Sequence, residues 1–90
     1  MLKLSQVGTA NETVTLKLEG RLAGPWVAEA RLICESLLRN SRAMKLDLSD
    51  VSYADAEGVE LLANLKSRGV MLANGSPFVE EQLKHSVANQ

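Results

Sequence analysis

The sequence predicts an α/β fold: a four-stranded mixed sheet with helices stacked mainly on one face, in the order ββαβαβα. Three observations predict it. Residues 13–19 and 44–48 alternate apolar and polar side chains, as half-buried strands do. Residues 26–38 repeat apolar side chains at helical spacing. After a first hairpin, strands and helices alternate. A strand–helix–strand unit implies parallel pairing through a crossover.

Each element can be justified in order. Leu2, Leu4 and Gln6 alternate with Lys3, Ser5 and Val7, a weak strand pattern, and residues 8–12 read as a turn. In the second strand Val14, Leu16 and Leu18 face one way, and Thr13, Thr15, Lys17 and Glu19 the other. Residues 20–25 read as a break, with Pro25 suited to a first helical turn because its missing N–H has no partner to lose there. Trp26, Val27, Ala30, Ile33, Cys34, Leu37 and Leu38 then form one stripe, with Glu35 and Arg39 spaced for an ion pair. The helix is expected to end at Asn40 and Ser41.

Met44, Leu46 and Leu48 mark the third strand, parallel to the second, and residues 49–54 read as a loop. Residues 55–68 form the second helix, with Val59, Leu62, Leu65 and Ala63 inward and Gly69 as its left-handed stop. Residues 70–73 are a short apolar strand. Ser76 caps the third helix and Pro77 opens it; Phe78, Val79, Leu83 and Val87 are its stripe, and Glu80 and Glu81 suit its positive end. Residues 88–90 are expected to fray. The polar sheet face, with Thr15, Lys17, Lys45 and Asp47, is expected to be open to water or a partner.

Bulk composition narrows the function. Ninety residues make one small domain, 46% hydrophobic and 23% charged, which is ordinary globular usage. A net charge of -1 with scattered Lys and Arg argues against a nucleic-acid footprint. The apolar runs are far shorter than the roughly 20 residues of a membrane span, and the first residues lead into a strand pattern rather than a signal peptide. The expectation is a cytoplasmic protein with no direct membrane insertion. One cysteine, Cys34, permits no internal disulfide and no zinc cage, and it reads as a core residue.

Catalytic signals are sparse, and no enzyme is expected. His85 is the only histidine and reads as a solvated helix residue. Asp47, Asp50, Asp55 and Glu57 are near in sequence, but nothing in their spacing forces them to converge on a metal; no metal and no cofactor is expected. Gly20 and Gly24, with Arg21 between, precede a helix and could approach an anion, although no phosphate-binding lysine follows. Trp26 reads as core or rim packing. Tyr53 either covers the core edge or is displayed to a partner.

The densest stretch is Leu46-Asp47-Leu48-Ser49-Asp50-Val51-Ser52-Tyr53-Ala54-Asp55-Ala56-Glu57-Gly58-Val59. It resembles the STAS domain family, which includes the bacterial anti-sigma-factor antagonists: a strand ending in LDLSGV, an aromatic-containing loop, then DSSG opening a helix. Leu18-Glu19-Gly20-Arg21-Leu22 resembles the end of the family's second strand, and the element order agrees over nearly the whole chain. In members that act as phosphoswitches, the second serine of DSSG is phosphorylated by a kinase that is also the anti-sigma factor. Here Asp55 and Gly58 match the motif, while Ala56 and Glu57 replace its two serines.

The resemblance implies a non-enzymatic regulatory domain. It would bind a protein partner through Tyr53, Asp55, Ala56, Glu57, Gly58 and Glu60 and would have no phosphorylatable switch. The partner it suggests first is an anti-sigma-factor kinase. Two alternatives stand beside it. One is a small STAS subunit of a transporter assembly; the other is a nucleotide- or lipid-binding module using Gly20, Arg21 and Gly24 together with the helix start at Asp55. Glu57 itself has two readings, a favourable charge at a helix start or a partial mimic of phosphoserine. The chain is short for the family, which leaves a flank less covered and favours a partner or a homodimer there.

Overall fold

The computed structural model describes residues 2–10, 13–40 and 43–88. The expectations for Asn11, Glu12, Ser41, Asn89 and Gln90, and for the side chains of Phe78, His85 and Val87, fall outside what it describes. Strands β1 (Leu2–Ala10) and β2 (Thr13–Leu22) are followed by α1 (Pro25–Asn40), β3 (Ala43–Ala54), α2 (Ala56–Ser67), β4 (Met71–Ala73) and α3 (Pro77–Ala88). The sheet order is β1-β2-β3-β4. The first pair is antiparallel and the other two are parallel, with α1 and α2 as the crossovers. The architecture is the expected mixed sheet in the order ββαβαβα.

Alternation along the strands decides which face the helices cover. Val14, Leu16 and Leu18 of β2 stand beside Met44, Leu46 and Leu48 of β3, and all six are buried. Val27, Ala30 and Cys34 of α1, Val59, Leu62 and Leu65 of α2, and Val79 and Leu83 of α3 join them in one core. Burial pushes the Cys34 thiol up to about 11, with the nearby Glu35 carboxylate adding to the effect. A thiol held protonated and covered is unreactive. Native protein is therefore expected to resist iodoacetamide at neutral pH, whereas protein unfolded in urea is alkylated at one site, as mass spectrometry would read.

The opposite sheet face keeps the polar residues expected there, partly open to water. Thr15, Lys17, Lys45 and Asp47 are half-buried, and polar and charged neighbours partly cover Lys17 and Asp47. Lys17 Nζ lies 2.9 Å from Asp50 and 3.8 Å from Glu19, and Lys3 lies 3.9 Å from Glu19. Asp47 Oδ1 accepts the Ser49 N–H at 3.0 Å and the Asn74 side-chain amide at 3.3 Å.

Residues 8–10, read as part of a turn, belong to β1 and pair with residues 13–15 of β2. Four further expectations are corrected. Residues 49–54 are not a loop: β3 continues through them to Ala54 and pairs with residues 19–22 of β2. Residues 20–22, read as part of a break, are accordingly strand. The register slips by one residue twice in this stretch. As a result the core-facing residues of β3 run Leu46, Leu48, Val51, Ala54, and a period of two becomes a period of three. Gly20, with φ of 108, takes the backbone conformation that other residues avoid beside the second slip.

Third, α2 buries Gly58 and Leu61 in addition to the expected residues, while Ala63 is only half-buried. This helix contacts α1 and α3 as well as the sheet, so its covered arc is wide. Fourth, Glu35 pairs directly with Arg68, and Arg39 acts on it only at longer range. The Glu35 carboxylate takes both guanidinium nitrogens of Arg68, at 2.7 and 2.9 Å, and so clamps the end of α2 to the middle of α1. A bidentate pair between two elements has better geometry than one along a single helix.

Candidate functional site at the start of helix α2

Asp55 follows the last residue of β3 and caps α2 in an extended conformation, with φ -81 and ψ -177. Its Oδ1 accepts the Gly58 N–H at 2.8 Å, as an N-cap residue should. Its Oδ2 accepts the Gly24 N–H at 2.9 Å, across 31 residues of sequence. One carboxylate thus joins the start of α2 to the loop before α1. The Asp55 N–H in turn donates to the Leu22 carbonyl at 3.1 Å.

Gly58 completes the junction. A Cβ on this residue would overlap the Leu22 carbonyl oxygen and sit 3.1 Å from Leu22 Cγ. The spacing Asp-x-x-Gly therefore has a mechanical meaning. The aspartate ties the helix to the neighbouring connection, and the glycine lets it approach. The two residues between them, Ala56 and Glu57, are left exposed.

The two N–H donors, Gly24 first and Gly58 second, hold the Asp55 carboxyl below the usual aspartate value of 3.8. A lowered native value means that the folded state prefers the ionised group. The contribution to stability is complete above the ordinary value and is lost as pH falls through the lowered one. Urea midpoints measured down a pH series are therefore expected to fall in this acid range, and less steeply for Asp55→Asn. Asp47 and Glu35 are lowered too, by the Ser49 N–H and the Arg68 guanidinium respectively. Part of the acid dependence therefore remains in that variant.

The structure divides the expected site residues among three places. Asp55 and Gly58 form the junction. Glu57 and Glu60 are exposed and line a groove between α2 and α1. Tyr53 lies elsewhere: it is paired with Arg21 across β3 and β2, with the guanidinium carbon 5.0 Å from the ring centre. That distance suits a cation–π contact. Arg21 and Gly20 belong to β2, and the Gly20 carbonyl accepts the Ser52 hydroxyl at 3.2 Å. The Gly24 N–H, which an anionic ligand would need, is taken by Asp55.

The groove brings in residues that the sequence reading missed. Its upper recess, about 270 Å3, is lined by Val27, Ala28 and Arg31 of α1 and by Glu57 and Glu60 of α2. Its lower recess, about 340 Å3, is lined by Arg31, Glu60, Ala63, Asn64 and Ser67. The signal available was the polar side of α1, where Ala28, Arg31 and Glu35 recur at steps of three and four. Among the described residues no group of three or more metal-ligating side chains converges, and no helix is long and apolar enough to cross a membrane.

No protein-family model matches the chain, and no curated protein matches it significantly by sequence. Solved structures do match by fold. One is the anti-sigma factor antagonist SpoIIAA in its unphosphorylated form, to which this chain is 23% identical with a TM-score of 0.72, over 96% of this chain and 80% of that one. The chain has the fold of SpoIIAA.

Proposed function

We propose that this chain is a non-enzymatic regulatory domain that binds a protein partner through the exposed first turn of α2. The observation that carries this reading is the Asp55 carboxylate. With both oxygens engaged, it fixes the turn in place and leaves Ala56 and Glu57 facing outward. The shared fold with an anti-sigma factor antagonist supports it. The partner class is an anti-sigma factor of the kinase type.

Phosphoryl transfer to a side chain needs a hydroxyl acceptor, and neither Ala56 nor Glu57 has one. Glu57 instead presents a standing carboxylate. It carries one charge, against about 1.5 to 2 on a phosphoserine, and its position near the helix start stabilises α2 by roughly 0.3–1 kcal/mol. The domain is therefore held in one binding state rather than switched between two.

Three variants test this against a purified anti-sigma-factor kinase from the same cell. Glu57→Ala is expected to change the unfolding free energy by no more than about 1 kcal/mol. Glu57→Lys is expected to remain folded and to bind at least about tenfold more weakly, because the charge at the contact is reversed. Glu57→Ser is expected to accept phosphate from ATP, which the wild type does not. Equal binding by wild type and Glu57→Lys would remove the surface from the proposal.

A further inference from the structure

We propose that the α1–α2 groove is a self-complementary surface through which two copies of this chain pair about a two-fold axis. This goes beyond the partner-binding function, and either can hold without the other. The groove carries both signs of charge side by side. Arg31 projects from α1, and Glu57 and Glu60 project from α2. Among the described residues none of the three makes an ion pair within 4 Å; the nearby Glu35, on which Arg31 acts at longer range, gives its carboxylate to Arg68.

A two-fold interface sets the same patch against itself, so a contact made by one residue toward another is made again in reverse. A surface of one charge sign repels its own copy. One carrying an unpaired arginine next to unpaired carboxylates attracts it, provided that the two signs lie on either side of the axis. Arg31 and Glu60 meet that condition. Each lines both recesses, so together they mark the middle of the groove, on opposite walls. An axis passing between them places Arg31 of each copy against Glu60 and Glu57 of the other.

Leu32 adds an apolar contact. It follows Arg31 on α1 and is 71% exposed, the most exposed of the large apolar side chains among the described residues. It lines neither recess, but it immediately follows the arginine that would cross to the second copy. The groove runs along α2 from Glu57 to Ser67, roughly 15 Å at 1.5 Å per residue. That is about the length over which two helices can lie side by side. Because Glu57 lines it, the dimer and a partner docked at Glu57 exclude each other.

The test is sedimentation velocity across a concentration series, with circular dichroism to show that each exposed-residue variant is folded. Wild type is expected to shift from monomer to dimer, and more salt is expected to weaken the dimer. Arg31→Glu alone and Glu60→Lys alone are each expected to lower association by about tenfold or more. An equimolar mixture of those two variants is expected to recover it, because residue 31 of each copy then meets the opposite charge at residue 60 of the other. Leu32→Ser is expected to weaken the dimer without altering the charge rescue. A wild type that stays monomeric throughout would overturn the proposal. So would a dimer indifferent to Arg31→Glu, or a mixture that does not recover association. Binding to the kinase partner is measured separately, so failure of one reading leaves the other visible.

Discussion

Replacing Gly58 by alanine is expected to destabilise the fold by about 1–3 kcal/mol, although alanine is the better helix former. In an exposed helix interior this change would gain up to about 1 kcal/mol. Here the added methyl meets the Leu22 carbonyl oxygen, which already accepts the Asp55 N–H at 3.1 Å. The obstacle is backbone rather than the end of a flexible side chain, so the helix start must move. Overpacking of this kind costs about 1–3 kcal/mol, and loss of the Asp55 hydrogen bond adds about 1 more. Urea unfolding at neutral pH would measure the difference. The same displacement pulls Asp55 away from Gly24, so the variant is also expected to show a shallower loss of stability in acid. A more stable Gly58→Ala protein would mean that α2 does not press on the second strand as described.

Leu46→Ala is expected to lower stability by about 2–5 kcal/mol, measured as a shift of the urea midpoint at unchanged slope. Leu46 is 0% exposed and lies in one of the two central strands of the sheet, on the helix-covered face, aligned with Leu16 on one side and Leu72 on the other. Truncation leaves a cavity bounded by strands whose backbones are hydrogen-bonded in register, and these collapse poorly. For a domain of 90 residues the whole stability is of order 5–15 kcal/mol, so this single change removes a large part of it. Leu32→Ala, by contrast, is expected to leave the monomer's stability nearly unchanged, because that side chain is exposed.

Where the residues follow a simple period, the fold was legible. The alternation of Val14, Leu16 and Leu18 and of Met44, Leu46 and Leu48 reports two half-buried strands, because a side chain on a pleated strand points to one face at every second residue. The stripe on α1, the capping position of Asp55 and the cap at Ser76 were equally readable. The Ser76 hydroxyl does accept the Val79 N–H, at 3.2 Å. The reading failed where the period changed. From Leu48 to Val51 to Ala54 the core residues come every third position, which suits neither a regular strand nor a regular helix. Only the partner strand, with its two slips of register, makes that stretch a strand.

The candidate site divides along the same line. The sequence by itself determined that a helix begins after Asp55, that two residues without hydroxyl groups occupy its first exposed positions, and that a glycine follows them. These are local matters, settled by backbone geometry and side-chain chemistry over a few neighbours. The tertiary structure alone decided what Asp55 holds and why Gly58 has no side chain, because Gly24 and Leu22 are more than 30 residues away along the chain. It also parted Tyr53 from Glu57 and set Arg31 across from Glu60. Such pairings depend on how two helices and two strands stack, which is a property of the closed core and of no single segment.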